Sequence, residues 1–114
     1  MNPDVDLVGD PVRRCILALL SVESEVCVCE FVAALQELQP SVSRHLALLR
    51  DGGWIASRRE GTWMHYRLAP MPKWARTMVD SLVAGGVPPD ALRKARSRLA
   101  AFPGRPRRAM GKVG

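Results

Sequence analysis

At 114 residues the chain fits one domain, and an apolar content of 47% is enough to build a core. Seventeen Lys and Arg against eleven Asp and Glu give a net charge of +6, which points to a polyanionic partner and says nothing of fold. No apolar run approaches the roughly 18 residues of a membrane span, no leader with a cleavage site is present, and three cysteines are too few for a disulfide scaffold, so a cytoplasmic protein with reduced thiols and no membrane partner is expected.

Residues 1–9 carry no pattern and are expected to be loose. Asp10-Pro11 supplies a capping oxygen and a first-turn proline, so a helix is predicted over 11–21, with Ile16, Leu17, Leu19 and Leu20 as its apolar stripe. After a break at Ser24-Glu25, a second helix is predicted over 27–35, burying Phe31, Val32, Leu35 and Leu38. Gln39-Pro40 is read as its breaker. Ser41 is then expected to cap a third helix that runs to Asp51, with Val42, Leu46 and Leu49 inward, and Gly52-Gly53 to end it. Residues 54–59 and 63–68 flank Glu60-Gly61-Thr62 and read as a hairpin. Trp54, Trp63 and Tyr66 are expected in the core and at the hairpin root. Two further helices are predicted over 73–83, opened by Trp74, and over 91–101.

Charge divides the chain unevenly. Eight cations follow Asp90 and no carboxylate does, which leaves residues 1–90 with nine cations and eleven carboxylates. Residues 1–102 are predicted as the folded domain and 103–114 as a basic disordered tail. That tail is either a solvated extension or an added hold on phosphates that reads no sequence. The element order gives a mainly α fold with a small β-hairpin, that is, a winged helix-turn-helix. Its third helix would enter the major groove, and the helices at 11–21 and 73–83 would remain to build a dimer.

Three stretches carry a resemblance: Glu25-Val-Cys-Val-Cys-Glu30, Gln39-Pro-Ser-Val-Ser-Arg-His-Leu-Ala-Leu-Leu-Arg50, and Arg59-Glu-Gly-Thr-Trp-Met-His-Tyr-Arg-Leu68. Together they resemble the arsenical-resistance repressors of the ArsR/SmtB family over residues 10 to about 84. The resemblance implies a homodimer on double-stranded operator DNA. It also implies release when trivalent arsenic or antimony, the inducer, binds cysteine thiolates, with no organic cofactor. Enterobacterial members carry a third cysteine where this chain has Val32.

Soft trivalent arsenic prefers thiolates. Cys27 and Cys29 are the expected ligands, with Cys15 either a third thiolate or a small packed hydrophobe. If Cys15 only packs, two thiols remain, which suits a methylated arsenical. On a regular helix residues i and i+2 point about 200° apart, so one ion held by Cys27 and Cys29 is expected to unwind the first turn of the second helix. Residues 72–101 contain no histidine for a zinc- or nickel-type site.

For DNA, Gln39, Ser41, Ser43, Arg44 and His45 fall at the start of the reading helix, and Arg58 and Arg59 flank the wing turn. Each has a plainer alternative: a cap, a structural hydrogen bond or a solvated strand edge. His65 is read as structural. No Ser/His/Asp order, glycine-rich phosphate loop or HExxH is present, and the thiol spacing is CxC where a thiol oxidoreductase shows CxxC, so no enzyme is expected. A thiol-redox switch at Cys27 and Cys29 is the rival mechanism. A metal-free interaction domain is the rival from another class.

Overall fold

The structure, a computed structural model, describes residues 2–103. The basic tail read from the sequence lies outside the described residues from 104 onward. Helix α1 spans Pro11–Glu23. Its cap is as expected: the Asp10 carboxylate accepts from the backbone N–H groups of Val12 at 2.9 Å and Arg13 at 3.1 Å. Ile16, Leu17, Ala18, Leu19 and Leu20 are all buried. Helix α1 runs to Glu23, two residues past the expected end at Ser21, and its apolar stripe packs inside the protomer.

Residues 2–9 are also a correction. They are ordered, with a 3-10 turn at Val5–Gly9 capped by Asp4. The segment docks on residues some fifty positions away. The Asp4 N–H donates to Gly52 O at 2.8 Å, and the Trp54 indole N–H donates to Asp4 O at 2.7 Å. Glycine at 52 allows that approach, since a Cβ there would run into Leu7.

After α1 the chain makes a short strand, β1 (Val26–Cys27), then helix α2 (Val28–Leu35). Strand β1 was not foreseen, because two residues are too few to show alternation. Gln36 takes a left-handed conformation (φ 54°, ψ 43°) and ends α2. Helix α3 covers Gln39–Asp51 with Leu38 as its N-cap. Ser41 therefore lies inside the helix and does not cap it. Pro40 starts α3 and does not stop α2, and it is tolerated there because a first-turn residue has no carbonyl partner for an N–H. Leu38, expected in the core, is 79% exposed.

Strands β2 (Ile55–Glu60) and β3 (Trp63–Leu68) form the hairpin, with Gly61 at φ 62° in its turn. The sheet order is β1-β3-β2, all antiparallel. Helix α4 (Lys73–Ser81) passes through a π turn at Leu82–Gly86, and α5 (Pro89–Ala100) closes the described chain. The core joins Ile16, Leu17, Leu19, Phe31, Val42, Leu46, Leu49, Trp54 and Leu99, each fully buried. Burying such a side chain stabilises by about 1.5–3 kcal/mol. The Trp74 ring meets Trp54 edge to face at 6.3 Å between ring centroids.

Candidate functional site

Cys27 and Cys29 stand at the junction of the sheet and the helix-turn-helix. Cys27 ends β1 and is the N-cap of α2, with extended backbone (φ −96°, ψ 169°), and it is 1% exposed. Glu30 forms the capping box with it, its carboxylate accepting from the Cys27 N–H at 2.8 Å. Cys29 lies two residues further on, in the first turn of α2, and is exposed. Cys27 is already outside the helix, so only the first turn of α2 has to yield for two sulfurs to converge.

Cys15 is elsewhere. It is half-buried on α1 and lines a cavity of about 450 Å³ with Val12, Ala34, Leu35, Lys94 and Arg98. Those α2 residues are at the helix's far end, roughly 9 Å of helix rise from Cys29. Burial pushes the Cys15 thiol pKa up, against the opposing charge of Arg98. The Arg98 guanidinium also donates to Ala34 O at 3.0 Å. Among the described residues no group of three or more His, Cys, Asp or Glu side chains is assembled to hold a metal. Cys27 and Cys29 are brought into one segment, and Cys15 is not brought to them.

On α3, Gln39, Ser43 and Arg44 are exposed and Ser41 is half-buried, while Val42, Leu46 and Leu49 point into the core as expected. His45 turns inward instead of to solvent, its side chain 12% exposed. The Arg13 guanidinium donates to His45 Nδ1 at 3.1 Å, and His45 Nε2 lies 3.9 Å from the Asp10 carboxylate. His45 thus ties the reading helix to the start of α1. Desolvation raises the Asp10 carboxyl, but backbone N–H bonds from Arg13 and Val12 and the charges of His45 and Arg13 outweigh it and hold it below its ordinary 3.8.

The wing separates the two arginines. Arg59 is exposed and registers with Met64. Arg58 registers with His65, and the Glu25 carboxylate holds its guanidinium by two bonds of 2.8 Å, with a third of 3.4 Å to Glu60. Those bonds push the Arg58 pKa further up. Trp63 sits at the wing tip, 43% exposed, and is not the core residue expected. His65 is 2% exposed, its Nε2 3.1 Å from Glu60, and its Nδ1 has no hydrogen-bond partner among the described residues. Glu25, Glu30 and Glu60 were not singled out in the sequence. Only the i, i+3 spacing of Cys27 and Glu30 hints at one of them, and cysteine is an unusual cap.

Residues 10–57 match the family model described as "Bacterial regulatory protein, arsR family". The chain is 47% identical over 75 residues to the arsenical resistance operon repressor of Escherichia coli, covering 65% of this chain and 64% of that protein, so it spans a little under two thirds of that relative's length. It is 43% identical over 91 residues to the arsenic resistance transcriptional regulator ArsR1 of Pseudomonas putida, covering 76% of this chain and 71% of that protein. Among solved structures, the transcriptional repressor BigR of Xylella fastidiosa aligns with TM-score 0.60 at 31% identity, over 70% of this chain and 76% of that one. The transcriptional regulator HlyU of Vibrio vulnificus aligns with TM-score 0.62 at 30% identity, over 70% and 80%. The exposed face of α3, the hairpin beside it and these likenesses lead to one conclusion: the chain belongs to the ArsR family of bacterial regulatory proteins, a DNA-binding transcription regulator of the winged helix-turn-helix class and not an enzyme.

Proposed function

We propose that this chain is a metalloid-responsive repressor of the cytoplasm. It binds operator DNA as a homodimer and releases it when Cys27 and Cys29 capture trivalent arsenic or antimony. The observation that carries the reading is the position of the two thiols. One ends a strand of the wing sheet and the other lies in the first turn of the helix that packs on α3. Both lose a proton on binding, and two thiolates suit a soft ion better than any oxygen or imidazole nearby. Drawing both sulfurs to one ion re-aims residues 27–29. That distortion favours a state in which α3 and the wing no longer fit DNA together.

Gln39, Ser41, Ser43 and Arg44 are proposed as the contacts of the reading helix, with Arg59 on the backbone beside it. Cys15 is proposed as a packed thiol outside the ligand set. His45 is proposed to support α3 from behind. No described helix is long and apolar enough to cross a membrane.

The test uses a fluorescent duplex from the region upstream of the protein's own gene. Arsenite added to the complex should lower anisotropy to that of free DNA for the wild type, and leave it high for Cys27→Ser and Cys29→Ser. A double variant that still releases the duplex would refute the assignment.

A further inference from the structure

The thiol segment is also the edge of the wing sheet. Cys27 registers opposite His65, and His65 opposite Arg58, so the three residues form a row across β1, β3 and β2. Residues directly opposite share a face of the sheet, and so do residues two apart on one strand. Glu25, Cys27, His65, Arg58 and Glu60 therefore lie on one face, and the side-chain bonds follow. Glu25 Oε1 and Oε2 accept from Arg58 NH2 and Nε at 2.8 Å each. Glu60 Oε1 accepts from Arg58 NH1 at 3.4 Å and meets His65 Nε2 at 3.1 Å. All three guanidinium nitrogens of Arg58 are engaged within the protein. The arginine beside it, Arg59, projects from the opposite face and makes no such pair among the described residues.

We infer that Arg58 is a positioning residue, not a DNA contact: through Glu25 it couples the Cys27–Cys29 segment to the wing. The proposal rests on the reading of Cys27 and Cys29 as inducer ligands. Glu25 is buried two residues before Cys27, so a change in backbone direction at residues 27–29 is felt at its carboxylate. A bidentate carboxylate–guanidinium pair tolerates little shear, because both parallel bonds lengthen together. Movement of the thiol segment either drags Arg58, and with it β2, or breaks the pair and frees the wing. In both cases β2, which packs on α3, is displaced, and Arg59 moves with it. Inducer capture then has two outputs: the first turn of α2 acts on the reading helix, and Glu25–Arg58 acts on the wing.

The experiment measures operator affinity with and without saturating arsenite for the full chain, Glu25→Gln, Arg58→Gln and the double variant, at two salt concentrations. Arsenite stoichiometry and thermal melting are recorded on each. The readout is the ratio of the two affinities, in which a uniform change in DNA binding cancels. Each single variant should bind arsenite as the wild type does and show a release ratio smaller by about fivefold or more, within the usual range of coupling between sites. The double variant should lose no more than either single one, since both residues lie on one path. A ratio within twofold of wild type in Glu25→Gln overturns the coupling. So does an Arg58→Gln that weakens binding equally in both conditions and lowers the salt slope, the signature of a phosphate contact. A wild type that binds no arsenite, or keeps its operator while arsenite-loaded, overturns the underlying sensor reading and this proposal with it. That failure is told apart because it appears before any variant is made.

Discussion

Two regions of this molecule carry the same chemical group in opposite settings. Cys15 is held in the middle of α1, whose following five residues are all buried, and its thiol faces a cavity walled by α2 and α5. Cys27 and Cys29 straddle the start of α2, where a strand becomes a helix. A regular helix interior fixes both backbone and side-chain direction, so a thiol there can pack but cannot move without cost to the core. A helix start has unsatisfied backbone groups and a non-helical cap, so a small rearrangement is cheap. The second setting is the one in which two thiols are expected to converge on a chelated ion. Burial, which pushes the Cys15 thiol pKa up, works against the first.

Cys27→Ser or Cys29→Ser should abolish arsenite-driven release while operator affinity stays within about twofold, because serine keeps the volume and offers a hard oxygen. The Cys27 substitution leaves the capping box in place, since serine is itself a good cap. Next is the reading helix. Arg44→Ala should cost about 1–3 kcal/mol of operator affinity, roughly 5- to 150-fold, with the melting curve unchanged because the side chain is exposed. Equal affinity for the operator in the two proteins would remove Arg44 from the interface. Cys15→Ser should leave the release ratio alone and lower stability by about 1 kcal/mol, the effect of a partly buried hydroxyl. Calorimetry and the anisotropy titration together separate those two outcomes.

The smallest effect concerns the support behind α3. Asp10→Ala should cost about 1 kcal/mol at neutral pH by removing the cap of α1. Asp10→Asn keeps the cap and loses only the charge. Because the folded-state pKa of Asp10 lies below its ordinary 3.8, the stability its charge lends is present above that value. It is lost as pH falls through the folded value. The difference between wild type and Asp10→Asn should therefore close in acid, as read by denaturant midpoints. A difference that widens there would show the shift to have the opposite sign.

The elements whose signals are local were legible in the sequence. Asp10-Pro11 announced α1, the Val42, Leu46 and Leu49 stripe oriented α3, and Gly61 between two β-rich runs placed the hairpin. What was not legible depends on partners far along the chain. Residues 2–9 have no pattern of their own because their order comes from Gly52 and Trp54. Strand β1 exists only because β3 accepts it. The helix-turn-helix corner was misplaced because Pro40 reads equally as an end and a beginning, and left-handed Gln36 carries no glycine to mark it. The site divides in the same way. Residue type and spacing picked out Cys27 and Cys29. Which way His45 and Arg58 turn was set by Arg13 and Glu25, each more than thirty residues distant.

Arsenic K-edge X-ray absorption on the arsenite-loaded protein distinguishes a site of Cys27 and Cys29 from one that includes Cys15. Arsenic–sulfur bonds are expected in the wild type, the same number of them in Cys15→Ser, and none in the Cys27→Ser/Cys29→Ser double variant. Three sulfurs that fall to two in Cys15→Ser, or arsenic–sulfur bonds that survive the double substitution, would contradict the site of Cys27 and Cys29.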